Sequence, residues 1–229
     1  MKFSFRSTAL SALALFLLSA LSVNVFAVGG NNYFENLRDK KKLFRLESGF
    51  ASDADFGPSL LFITDQSQEN TFYSGVAVGL QLGDSLFGYP VDVVGFFAVQ
   101  NFHERGFQAD ALGVTLFWKV YKKWNFRWLP DNLPIRIGLG QGLSYASRIP
   151  VAEQRDFQPE DSAETVHFLE WSVQLPVKAL LSPFSDYFTV GDDIWLGYNI
   201  FHRSTVFGLF ADGPGGVNYP GIALEFVFD

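Results

Sequence analysis

Residues 111 to 121 read "ALGVTLFWKVY". Leu112, Val114, Leu116, Trp118 and Val120 share one parity, and Gly113, Thr115, Phe117, Lys119 and Tyr121 the other. A period of two marks a β-strand, whose successive side chains point to opposite faces. One face here is bulky hydrocarbon. The other mixes small, hydroxyl, aromatic and charged groups. The division recurs in "FYSGVAVGLQL" (72–82), where Phe72, Val76, Val78, Leu80 and Leu82 oppose Tyr73, Gly75, Ala77, Gly79 and Gln81. It recurs again in "PIRIGLGQGLSYAS" (134–147), where Ile135, Ile137, Leu139, Leu143 and Tyr145 oppose Arg136, Gly138, Gly140, Gly142 and Ser144.

Two architectures produce this pattern: a sandwich with its apolar faces inward, or a membrane barrel with its apolar faces outward. Strand length separates them. Several segments exceed the usual soluble strand and match what crosses a bilayer at a tilt. A glycine-rich second face also suits a narrow barrel interior. The C-terminal "YPGIALEFVFD" (219–229) puts Ile222, Leu224, Phe226 and Phe228 on one face. It resembles the terminal strand by which outer-membrane proteins are recognised by the barrel-assembly machinery, with Tyr219, Gly221, Leu224 and Phe226 in the expected places and Asp229 where an aromatic is usual. The expected fold is an all-β, eight-stranded antiparallel transmembrane outer-membrane β-barrel. Its strands are expected near 57–65, 71–83, 90–102, 110–121, 134–147, 165–177, 193–206 and 218–228. With both termini periplasmic, as is usual for such barrels, the segment 193–206 ascends and its end lies on the outer side.

The composition bounds the rest. Of 229 residues, 48% are apolar, 17% aromatic and only 18% charged, which is charge-poor for a soluble domain. No cysteine is present, so no disulfide frame or thiolate metal site arises, and three scattered histidines offer no metal-ligand spacing. No cofactor is implied. Residues 1–27 read as a secretory signal peptide: Lys2 and Arg6, then "ALSALALFLLSAL", then "NVFA" ending at Ala27. Its removal takes the 17 basic residues to 15 against 24 acidic ones, a net charge near −9. That balance argues against nucleic acid as a partner. Residues 28–56 are expected to be an N-terminal periplasmic segment or an extension of the first strand, and 57–229 the barrel. The long loop 148–164 falls outside and is acidic.

Candidate chemistry sits in "FHRST" (201–205). His202 and Ser204 share parity with Ile194, Leu196, Tyr198 and Ile200, so both face lipid near the outer end of their strand. Polar groups there are costly unless they lie at the interface or have work to do. A serine hydroxyl becomes a nucleophile when a base takes its proton, and a histidine two positions along a strand is near enough. This arrangement resembles the lipid A 3-O-deacylase family, small outer-membrane barrels with a His-x-Ser pair on the outer surface. The resemblance continues loosely into "NYPGIALEF" at Asn218, Pro220 and Gly221. It implies His202 as base, Ser204 as nucleophile and an outer-leaflet lipid or lipopolysaccharide as substrate, in the bacterial outer membrane. Two positions depart from the pattern. Thr205 stands where the family has asparagine, and Gly216 where it has the acid, leaving Asp212 in the external loop as the third candidate.

The other polar residues have structural expectations. Arg136, Glu170 and Arg203 face inward and are expected to form one ion cluster; Asp92, Asp110 and Lys119 are expected inside with them, and Glu225 also has inward parity. His167 has outward parity near His202, and His103, in "FHERGF", carries no signal. Gly138, Gly140 and Gly142 lack the spacing and the following helix of a nucleotide-binding turn. The alternative function is a non-enzymatic envelope barrel, a scaffold or adhesion surface. A pore ranks last, because eight strands leave an interior filled by side chains.

Overall fold

The computed structural model describes residues 40–52, 65–67, 70–104, 110–126, 133–155, 163–181, 193–205 and 216–229. Residues 1–27, expected to be a signal peptide, lie outside them. Eight strands follow in chain order: β1 (Lys42–Phe50), β2 (Thr71–Leu86), β3 (Tyr89–Glu104), β4 (Ala111–Asn125), β5 (Pro134–Ala146), β6 (Thr165–Pro176), β7 (Ile194–Ser204) and β8 (Gly216–Phe228). Each pairs antiparallel with its neighbour in sequence, and β1 closes on β8 from Lys42↔Phe228 to Gly49↔Gly221. Closure removes every sheet edge. Two short helices, α1 (Val151–Arg155) and α2 (Val177–Leu180), accompany the strands. Among the described residues no helix is long and apolar enough to cross a membrane, which says nothing of a barrel that crosses with strands.

Seven strands fall where alternation predicts them, and most run longer. The first does not. It is Lys42–Phe50, inside the segment 28–56 expected to be a periplasmic segment or an extension of the first strand, so the first described strand of the barrel starts at residue 42. Residues 57–64 of the expected first strand are outside the described set. In "KLFRLESGF", Arg45 and Glu47 occupy the inward parity and disguise a strand as a solvated segment. The β2–β3 turn is tight: Phe87 (φ 51°) and Gly88 (φ 80°) both take positive φ, the combination that suits a two-residue hairpin.

The molecule is inside-out. Val78, Leu112, Leu139 and Ile222 are 54–61% exposed on the outward face, whereas Arg45, Lys119, Arg136, Glu170 and Glu225 are buried in the lumen. Hydrocarbon outside and paired charge inside is the arrangement a bilayer stabilises. The lumen is filled in layers. At the lower end, where even-numbered strands finish, Arg136 bonds Glu225 (2.5 Å) and Gln174 (2.6 Å), and Tyr121 donates to Glu225 (2.8 Å). In the middle, Glu170 accepts from Arg45 (2.9 Å) and Lys119 (2.5 Å), and Arg45 also meets Glu47 (2.7 Å). Above lies an aromatic layer in which Tyr73, Phe102, Phe168, Phe201 and Tyr219 pack edge-on or stacked. At the top, α1 presents Glu153 to Arg203 (2.6 Å) and to the Tyr219 hydroxyl (2.9 Å). At Gly138 and Gly142 a side chain would collide with Lys119 and with Phe117 respectively, so these glycines make room for larger lumen groups.

The expected cluster of Arg136, Glu170 and Arg203 is corrected here. All three are in the lumen but belong to three different ion sets, with Glu225, with Arg45 and Lys119, and with Glu153. Register explains it. Arg136 pairs with Gln174, four residues along β6 from Glu170, a separation of about 13 Å. Partners therefore come from across the lumen. Asp110 is a second correction. It lies on the outward side, because alternation carried back from Leu112 gives it the lipid-facing parity.

Candidate active site on the outward rim

The upper rim, where odd-numbered strands finish, carries two groups of outward polar side chains. The first is the predicted one. His202 and Ser204 both point outward on β7, flanked by buried Phe201 and Arg203. Their cross-strand neighbours are set by register: Ser204 lies opposite His167 on β6 and Gly216 on β8, and His202 lies opposite Asn218. His202 Nδ1 is 2.9 Å from the amide oxygen of Asn218. That oxygen only accepts, so Nδ1 carries the proton and Nε2 has the lone pair. Gly216 stands where the acid was expected, and the reason is steric. A Cβ there would lie 2.5 Å from Cε1 and Nε2 of His202. The imidazole edge occupies the space that a side chain at residue 216 would enter. Nδ1 of His167 is buried without a hydrogen-bond partner. Asp212 lies outside the described residues.

The second group was not singled out by sequence. Ser74 is outward on β2 and His103 is outward on β3, diagonal neighbours through the pairs Ser74↔Asn101 and Phe72↔His103. Ser74 Oγ lies 3.0 Å from His103 Nε2. His103 Nδ1 lies 2.9 Å from Asp110 Oδ2, just before β4. The carboxylate is an acceptor only, so Nδ1–H donates to it and Nε2 is left to accept from the serine hydroxyl. Asp110 is itself held: Oδ2 accepts from the Asn101 amide (3.1 Å) and Oδ1 from the Glu104 backbone N–H (3.3 Å). The Asn101 hydrogen bond first, and then those from Glu104 and His103, hold this carboxyl below the usual carboxylate range against a smaller desolvation. The His103 and Asp110 side chains are 45% and 44% exposed, so the group opens to its surroundings. Among the described residues no set of three or more His, Cys, Asp or Glu side chains is placed to hold a metal ion.

Register was the missing signal. The turn at Phe87–Gly88 pairs Leu86 with Tyr89; twelve positions back from Leu86 is Ser74, and twelve on from Tyr89 is Asn101. His103 is two further, on the same face. The hairpin alone therefore brings a serine and a histidine together across 29 positions of sequence.

No family model matches the chain, and no curated protein sequence matches it. Solved structures do. The outer membrane enzyme PagL matches over 80% of this chain and 98% of its own, at 9% identity and a TM-score of 0.54. Neisserial surface protein A (NspA) matches over 82% of this chain and 97% of its own, at 9% identity and a TM-score of 0.46. The N-terminal β-barrel domain of Pseudomonas aeruginosa OprF matches over 83% of this chain and 98% of its own, at 8% identity and a TM-score of 0.41. The likeness to PagL is one of fold: the closed eight-stranded barrel of outer-membrane proteins.

Proposed function

We propose that this barrel resides in the bacterial outer membrane and is a serine–histidine hydrolase of outer-leaflet lipid esters. Lipid A is the substrate that the sequence resemblance implies. One observation carries the reading. Both rim groups hold an outward imidazole by a hydrogen bond at Nδ1, which leaves Nε2 as the base, and each has a serine on the same face. An imidazole set this way is equipped to take a hydroxyl proton and later return it to a leaving alkoxide. The position favours the same substrate. The groups stand where the apolar outward band ends, the level at which an acyl ester joins its headgroup. The fold is that of an outer membrane enzyme as well as of other barrels. The closing strand β8, with its terminal aromatics, is the proposed signal to the barrel-assembly machinery.

The test is reconstitution of the full chain in vesicles of bacterial outer-membrane lipid, with released fatty acid followed by mass spectrometry. The folded wild type is expected to release fatty acid, and a His103→Ala/His202→Ala variant to release none. Equal release by the two, or none from a folded wild type, would refute the proposal and favour a non-enzymatic envelope barrel.

A further inference from the structure

Resting on that reading, we infer that the attacking serine is Ser74 and not Ser204, with His103 as its base and Asp110 as the residue that positions the base. Three features carry this assignment. It is complete within ordinary hydrogen-bond distances, 3.0 Å from hydroxyl to imidazole and 2.9 Å from imidazole to carboxylate. Its third member is an anion, which stabilises the imidazolium that forms when the serine is deprotonated. And the carboxylate is kept ionised by the Asn101 amide and the Glu104 N–H, which occupy its other lone pairs.

The chemistry balances with these groups alone and water. Ser74 Oγ attacks the ester carbonyl carbon while its proton passes to His103 Nε2. The carbon–oxygen bond to the alcohol breaks, and His103 returns the proton to the departing alkoxide. The acyl group is left on Ser74. A water then gives a proton to His103 as its oxygen attacks the acyl carbonyl; the bond from the acyl carbon to Ser74 Oγ breaks, and His103 passes the proton to that oxygen, which releases the fatty acid and restores the serine hydroxyl.

The surroundings specify the substrate class. Below the triad, on the same outward face, run Val76, Val78, Phe97, Leu112 and Leu116, all 44–57% exposed. An acyl chain lying on that band brings its ester to the level of Ser74, so the site takes long-chain esters held in a bilayer in preference to short soluble ones.

The test uses a long-chain alkyl fluorophosphonate, which loses fluoride to an activated serine and stays bound to it. The full chain is folded in lipid vesicles, labelled, digested and mapped by mass spectrometry. The expected adduct is on the peptide containing Ser74. It persists in Ser204→Ala, disappears in Ser74→Ala and forms at least about 100-fold more slowly in Asp110→Asn, whose amide cannot stabilise the imidazolium. Mapping on the unmodified chain needs no variant, so a misfolded Ser74→Ala does not obscure the result. An adduct on Ser204 alone overturns the inference while the proposed hydrolase stands. Fatty-acid release with no adduct on Ser74 also overturns it. Absence of both release and adduct overturns the hydrolase reading and the inference together. Equal labelling by a butyl probe refutes the long-chain preference.

Discussion

Glu170→Gln is the perturbation from which the most can be worked out. The Glu170 side chain is fully buried and answers two cations at once, Arg45 from β1 and Lys119 from β4. Losing its charge affects them unequally. Arg45 keeps Glu47 at 2.7 Å, whereas Lys119 has no second ion pair among the described residues and keeps only its contact to the Tyr121 ring, 4.8 Å from ammonium to centroid, and the field of Glu225. Removing one partner of a buried pair costs about 3–5 kcal/mol, mostly because the other charge stays buried and uncompensated. Glutamine preserves shape and one acceptor oxygen, so about 3 kcal/mol is expected. For a domain of this size each kcal/mol moves Tm by about 2–4 °C, which gives a fall of about 6–12 °C. The assay is heat modifiability: the temperature at which the compact barrel band converts to the unfolded band on a gel. A second substitution sharpens it. Adding Lys119→Met removes the stranded cation and is expected to recover part of the loss, a coupling that two independent defects would not show. If Glu170→Gln converts within 1 °C of wild type, or if the double variant is worse than the sum of the singles, the account of the lumen as a set of mutually dependent ion pairs is wrong.

Other perturbations probe other layers. Glu153→Ala strips Arg203 and the Tyr219 hydroxyl of their shared acceptor, and is expected to lower the conversion temperature and to speed proteolysis in 148–164. Gly142→Ala drives a methyl into the Leu116 carbonyl and Phe117, and is expected to cost about 1–3 kcal/mol, read as a lower conversion temperature. Asn101→Ala removes the largest of the contacts that keep the Asp110 carboxyl below its ordinary range. A depressed carboxyl contributes above its unfolded value and loses that contribution as pH falls through the folded one. The fall in conversion temperature between neutral and acid pH is therefore expected to be smaller in Asn101→Ala than in wild type, and an identical pH dependence would show that Asn101 does not act through Asp110.

The fold was legible because alternation survives even where composition is unusual. Leu112 to Val120 keep one greasy parity throughout and Ile135 to Tyr145 keep it except at Gln141, and the physics of a barrel wall requires that. The first strand was hidden for a related reason. Arg45 and Glu47 are lumen residues, and charge in a short segment reads as solvent exposure until the opposite wall supplies Glu170 and Gln100 as partners. The same limit spoiled the expected ion cluster. Parity says which residues face the lumen, but it gives neither their height nor their partners across it. His202 and Ser204 were visible because they lie two positions apart. Ser74 and His103 were not, since their proximity exists only after a hairpin has fixed its register. Asp110 was set on the wrong side although Leu112 fixes its parity.

The proposed Ser74–His103–Asp110 group is packed from behind by the lumen. In a strand every outward residue is flanked by inward ones, so a catalytic group on the lipid face is held by what packs behind it. Ser74 follows Tyr73, which is fully buried against Phe201 and Tyr219. His103 lies between Phe102, packed edge-on to Tyr219, and Glu104, which accepts from Thr71 (2.8 Å) and from the backbone N–H of Val151 (3.0 Å). Asp110 precedes Ala111, which is fully buried. Tyr219 touches the residues behind both the serine and the histidine, and its hydroxyl is tied to Glu153 of α1. One aromatic centre thus braces two outward groups on different strands, and α1 is joined to it by the Glu153 carboxylate and by buried Ala152. An outward site on a barrel wall needs such bracing, because fluid lipid around it cannot hold a hydroxyl and an imidazole 3.0 Å apart.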